Sequence, residues 1–191
     1  MGAKVGLSKA AVVTAAGALA DAIGLESVTL AALAAELKIR TPTLYHHVAG
    51  LPGLRRELAL MGLRQQEEWL GRAVMGQSGG EAIRALAAAL RAYIKTHPGI
   101  YAATVRSGTG VDPDVGAAQR AVVAIALRAL TAYRLGADDA IHTVRMVRAL
   151  VHGFATLELA GGFGLPQEVD ETFHRLIETY IGALERSARR D

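Results

Sequence analysis

The sequence predicts an all-α protein: a small three-helix N-terminal head containing a helix-turn-helix, joined by a long helix to a C-terminal helical bundle. Three observations carry that prediction. Apolar residues, chiefly Ala and Leu, recur at spacings of three and four along almost the whole chain. No stretch alternates apolar and polar residues as a half-buried strand would, and aromatic residues make up only 5% of the 191. Gly and Pro fall mainly between the periodic segments, where they end one helix and start the next. Hydrophobic residues form 51% of the chain, and this surplus is best spent in a bundle, a ligand cavity or a subunit interface.

The elements follow in order. A first helix is expected from about Ser8 to Ile23, with Val12, Ala16, Leu19, Ala20 and Ile23 on one stripe and Gly24 ending it. Thr29 stands as the N-cap of a second helix carrying Leu30, Leu33, Ala34 and Leu37. Thr41-Pro42 opens a third, because proline at the first helical position gives up no intrahelical bond. Leu51-Pro52 repeats the device for a long helix to about Val74, and Gln77–Gly80 reads as a flexible separator. Further helices are expected over Glu81–Thr96, Ile100–Arg106, Pro113–Leu135, Asp138–Leu159 and Pro166–Ser187. They are separated by His97–Gly99, Ser107–Asp112, Gly136-Ala137 and Gly161–Leu165, with Asp112 capping a helix whose first residue is Pro113. The expected division is 1–52 for the helix-turn-helix head and 53–191 for the helical body.

Bulk charge says little about partners. Lys and Arg number 21 against 18 acidic residues, and within Met1–Met75 eight basic residues face six acidic ones, so nucleic-acid binding is permitted rather than indicated. The chain has no cysteine, which excludes disulfides, thiolate metal sites and cysteine nucleophiles. Its longest apolar runs, such as Ala121–Leu127, fall far short of the ~20 residues that cross a bilayer. Met1–Gly6 reads as a frayed tail without a secretory signal, and the expected location is the cytoplasm.

The informative segment is Val28–Val48. Leu33, Ala34 and Leu37 give its first helix an apolar face, Lys38–Arg40 form a short turn with Ile39 plugging the core, and Leu44 and Val48 point inward four apart. Thr43, Tyr45, His46 and His47 are then left on or near the outer face, with Arg40, Thr41 and Pro42 at its start. A recognition helix presents its N-terminal portion to base edges while neighbours grip phosphates. The DNA-contacting set is therefore expected to be Thr29, Lys38, Arg40, Thr41, Pro42, Thr43, Tyr45, His46 and His47.

Pro42–Val48, preceded by Leu37-Lys38-Ile39 and Leu33-Ala34, resembles the recognition helix of the TetR (tetracycline repressor-like) family, with Gly24, Val28 and Thr29 in matching places. A second stretch, Val147–Glu158 with Gly161–Leu165, Val169-Asp170 and Phe173 after it, is similar to a TetR branch with a Trp-His-Gly signature. Here Val151 stands in the tryptophan's place before His152-Gly153. His97–Ala102, followed by Arg106, also suits that branch. The resemblance implies a homodimer with two DNA-binding heads, a small-molecule effector and, most often, repression of a near-palindromic operator. Two phosphate anchors common in the family are replaced, by Ala31 and by Leu51, and Lys38, Arg40, Arg55 and Arg56 are the cations available to compensate. The alternative reading is a dimeric helical small-molecule-binding protein with weakened or lost DNA binding.

In the body, Trp69, Tyr93, Tyr101, Val105, Val122, Met146, Val147 and Leu150 are the candidate lining of a pocket for a small apolar or aromatic effector. Ala149, His152, Gly153, Phe154, Leu157, Phe173, Leu176, Ile177 and Tyr180 are the candidate dimer interface, although plain core would use the same residues. His152-Gly153 suggests close packing against another helix at the glycine. No cofactor or metal is expected: His46 and His47 are adjacent, and His142, His152 and His174 lie on separate helices without ligand spacing. No nucleophile motif or phosphate-cradling loop occurs, so an enzyme is not expected.

Overall fold

A computed structural model describes residues 7–107 and 112–188. The expected tail Met1–Gly6 and most of the Ser107–Asp112 separator lie outside these residues. Among the described residues the regular structure is helical throughout. The helices are α1 (Lys9–Ile23), α2 (Leu30–Glu36), α3 (Thr41–Leu44), α4 (Gly50–Ala73), α5 (Gly79–Thr96), α6 (Pro98–Arg106), α7 (Pro113–Ala129), α8 (Ala137–Leu159) and α9 (Val169–Ala188). None is long and apolar enough to cross a membrane.

Two compact units divide the chain. The first comprises Met1–Gln65 and Thr96–Ala118, the second Gln66–Lys95 and Gln119–Asp191. In the first, Val12, Ala16 and Ala20 of α1 meet Val28, Leu33, Leu44, Val48, Leu54 and Leu58 in one buried cluster, which Ala103 of α6 joins. Division by packing thus puts α6 with the head, where division by expected role stopped at residue 52.

The reason is a set of close approaches to α6. Asp21 of α1 caps its start: Oδ1 accepts the amides of Gly99 (2.8 Å) and Ile100 (2.9 Å), and Oδ2 meets His97 Nδ1 at 3.0 Å. A Cβ on Gly99 would overlap the backbone of Ala20 and stand 2.7 Å from the Asp21 nitrogen. Likewise a Cβ on Gly62 of α4 would come within 2.6 Å of Thr104 and 2.8 Å of Ile100. These glycines are notches that let helix backbones approach closely.

In the second unit, Arg91 of α5 ties α8 and α9 together. Its guanidinium forms a two-pronged pair with Glu158 (2.7 and 2.8 Å), reaches Asp170 at 2.7 Å, and lies 4.6 Å from the Phe173 ring centroid. Phe154 flanks it at 5.3 Å. The planar fork satisfies carboxylate and aromatic faces at once, which a lysine could not do. Hydrogen bonds from Arg91 and then Lys95 hold the Glu158 carboxyl below its usual value, against an opposing desolvation.

Several boundaries differ from expectation. Pro98, read as part of a separator, is the first residue of α6, the N1 placement that proline favours. α7 stops at Ala129 rather than Leu135, and a 3-10 turn (Thr131–Tyr133) ends with Arg134 in the left-handed region at φ 52°. There the Thr131 hydroxyl donates to the Arg128 carbonyl, a local bond that competes with helix continuation. α9 begins at Val169, three residues after Pro166.

Candidate nucleic-acid interface

The helix-turn-helix is built from two caps and a buried anchor. Thr29 Oγ1 accepts the Ala32 amide at 3.0 Å, starting α2 as the sequence implies. At the other end Lys38 sits at φ 54°. Its amide bonds the Ala35 carbonyl (3.1 Å) and the Ile39 amide bonds Ala34 (3.0 Å), the paired bonds of a Schellman turn. Glycine usually takes this left-handed position, so the lysine carries local strain. Ile39 packs partly buried against the cluster.

α3 itself is short. After Leu44 the chain continues through tighter turns, with the His46 and His47 amides bonding the carbonyls of Thr43 and Leu44. Leu44 is fully buried and Val48 nearly so, fixing the segment to α1 and α4 from below. Tyr45 is 61% exposed. Pro42 and His46 are exposed, while Thr41, Thr43 and His47 are half-buried at the edges. Thr29, Lys38 and Arg40 are exposed too, and neither Lys38 nor Arg40 has an ion-pair partner among the described residues. The nine expected contact residues therefore lie around α2 and α3, with Thr29, Lys38, Arg40, Pro42, Tyr45 and His46 exposed.

Packing explains one of the two replaced anchors. Leu51 is partly buried against the cluster, so the family's cation position is spent here on core. Ala31 is exposed and offers only a methyl group. Of the proposed substitutes, Arg56 is unsuitable: it binds Asp112, Asp114 and Glu57 instead. Arg55 pairs with Glu26 at 3.4 Å, both side chains being exposed.

The candidate effector residues are scattered by comparison. Tyr101 and Val105 belong to the first unit and the other six to the second. Tyr93, Val147 and Tyr101 are buried, Val122 and Leu150 half-buried, and Trp69, Val105 and Met146 exposed. Trp69 and Tyr93 meet edge to face at 5.7 Å. A cavity of about 290 Å³ lies in the first unit instead, lined by Arg55, Arg56, Arg106, Asp112 and Leu25 among others, and none of the eight lines it.

The candidate interface residues divide similarly. Phe154, Phe173 and Ile177 are buried within the chain itself, the two rings 5.0 Å apart. Ala149 and Leu157 are exposed; His152, Leu176 and Tyr180 are half-buried. Tyr180 donates its hydroxyl to the Thr143 carbonyl at 3.2 Å. Among the described residues, no other helix comes within 4 Å of where a Gly153 Cβ would be, so the close packing expected there is not made among them. Among the described residues, no three His, Cys, Asp or Glu side chains are grouped to hold a metal ion.

A tetracyclin repressor-like C-terminal domain profile matches residues 83–180. The chain belongs to the TetR family of DNA-binding transcriptional regulators. It is 30% identical over 185 residues to the uncharacterized HTH-type transcriptional regulator YobS of Bacillus subtilis (strain 168), covering 96% of both proteins. It is 33% identical over 156 residues to the uncharacterized HTH-type regulator Rv0681 of Mycobacterium tuberculosis, covering 81% of this chain and 72% of that one. Among solved structures, a TetR variant of Acinetobacter baumannii AYE in complex with minocycline has TM-score 0.69 at 22% identity, covering 95% of this chain and 98% of that one. This TetR fold agrees with the all-α architecture read from the sequence.

Proposed function

We propose that this TetR regulator acts as a homodimeric, ligand-responsive repressor, reading a near-palindromic operator with Tyr45, His46 and the residues around them. The observation that carries the reading is the division of labour along α3 and the turns that follow it: Leu44 and Val48 are locked in the core while Tyr45, next to Leu44, is 61% exposed. Such a segment is a rigid platform for groups that reach base edges and phosphates. Thr29, Lys38, Arg40, Thr41, Pro42, Thr43 and His47 complete the proposed contact surface.

Dimerisation is proposed through α8 and α9. Met146 and Leu157 are 48% and 53% exposed, and with Ala149 and the open Gly153 they line one side of α8. Paired across a two-fold axis, α8 and α9 would form a four-helix bundle and set two heads ~34–36 Å apart, one helical turn of DNA. The proposed effector is a small apolar or aromatic molecule bound in the body, where Trp69 and Tyr93 offer an aromatic wall. The C-terminal part is assigned to the Trp-His-Gly branch, with fully buried Val151 filling the tryptophan's place.

Titration of the full chain against its own upstream DNA and selected random DNA, at several salt concentrations, tests the reading. A salt-sensitive, sequence-preferring complex that Tyr45→Ala abolishes while fold and dimer persist is expected. A stable dimer without any such complex would favour the ligand-binding alternative, which the replacement of both anchors at Ala31 and Leu51 supports.

A further inference from the structure

Arg56, one of the cations that could have replaced a missing phosphate anchor, is held inside a chain of charges crossing three helices of the first unit. Lys9 of α1 meets Glu57 of α4 at 2.7 Å, and Glu57 also accepts from the neighbouring Arg56 at 3.1 Å. Arg56 grips Asp112 with two nitrogens, Nε on Oδ2 and an Nη on Oδ1, and reaches Asp114 as well. Asp112 has a second task, since its Oδ1 caps α7 by accepting the amides of Asp114 and Val115, both at 3.0 Å. Its carboxyl is held below the ordinary range, chiefly by the hydrogen bonds from Arg56.

One carboxylate therefore starts α7 and clamps α4. The clamped segment follows Leu51 and Leu54, through which α4 packs on the cluster that seats Leu44 and Val48. We propose that Arg56 is a positioning residue for DNA binding: the Lys9–Glu57–Arg56–Asp112 chain fixes α4 against α1 and α7, and thereby the platform under the recognition segment. This inference rests on the DNA-binding reading above, but its geometry is independent of it. A two-pronged guanidinium–carboxylate pair is directional, so rolling α4 about its axis would strain it.

The test compares full-length Arg56→Gln, Asp112→Asn and the double variant with the parent, after melting curves show that all are folded. Asn caps helices as well as Asp, so Asp112→Asn breaks the two-pronged pair while leaving the α7 start capped and only Asp114 of α7 within reach of Arg56. Each single variant is expected to weaken operator binding about five- to tenfold, within the range of typical coupling between sites. The double variant should be no weaker than either, and the salt dependence should match the parent's. A salt slope lowered by about 1.8 in Arg56→Gln, about 0.9 for each of the dimer's two copies, would make Arg56 a phosphate contact and overturn the inference. Additive losses, or unchanged affinity, would overturn it equally. Amide exchange separates this failure from failure of the DNA-binding reading. If the parent binds no DNA, severalfold faster exchange at Val115 and Gly116 in Arg56→Gln still supports the clamp, and unchanged exchange refutes it.

Discussion

Removing the Asp21 carboxylate should clearly destabilise the first unit. In Asp21→Ala the amides of Gly99 and Ile100 lose their acceptor, and α6 loses its cap at the point where it lies tightest on α1. A helix cap is worth ~1 kcal/mol and a hydrogen bond to a charged group ~1.5–3 kcal/mol. The two amides share one carboxylate oxygen, so the contributions overlap and ~2–3 kcal/mol is the expected total. At ~2–4 °C per kcal/mol for a chain of this size, the melting temperature should fall by roughly 4–12 °C. Asp21→Asn keeps an acceptor oxygen for the two amides and should lose about half as much. Gly99→Ala should lower stability through the same joint, by forcing the backbones apart at a cost of ~1–3 kcal/mol. Thermal melts at one fixed protein concentration make the measurement, because association would otherwise shift the midpoint. If Asp21→Ala melted within a degree of the parent, the cap would carry no energy and the docking argument would fail.

Other expectations follow from the same coordinates. Leu44→Ala should destabilise by ~3–5 kcal/mol, as a fully buried leucine, and should be seen as a lowered denaturant midpoint. Lys38→Gly relieves a left-handed residue and should raise stability by up to ~1 kcal/mol; if the lysine also touches phosphate, the salt slope of operator binding should drop by ~1.8, since the dimer carries two copies. Glu158 lies below the usual 4.5 in the folded protein. Its pairing therefore contributes fully above pH 4.5 and is lost as pH falls through the lower folded value. Melting temperature should accordingly decline below pH 4.5, and less steeply in Glu158→Gln. Leu157→Arg places a charge on the exposed side of α8 and should yield monomer in size-exclusion chromatography if the proposed bundle forms.

The recognition segment was legible because each of its parts is local. Thr29 caps three residues ahead, Pro42 opens a helix, and Leu44 and Val48 share one face at helical spacing. Asp112 was readable as a cap for the same reason, yet its grip on Arg56 was not. The two are 56 positions apart, and no periodic pattern links residues at such a distance. The same holds for Glu158, whose partner Arg91 lies 67 positions earlier. Gly99 was punctuation in the sequence and a contact surface in the fold, since a missing Cβ shows only what could approach. Phe154, Phe173 and Ile177 suited interface and core equally; packing within the unit claims their area, leaving Ala149 and Leu157 outward.

The alternation at Leu44 and Tyr45 has a consequence for change as well as for recognition. The turn before α3 is closed by backbone bonds, and the segment is moored by Ile39, Leu44 and Val48 rather than by its outward side chains. Tyr45 and His46 can therefore vary with little effect on folding, within the ~0.5 kcal/mol usual for surface substitutions. A lineage, or a designer working with a two-position library, could retune which operator is read without renegotiating the scaffold. If Tyr45 and His46 read the operator as proposed, binding preference and folding stability are written in separate residues, each open to selection alone.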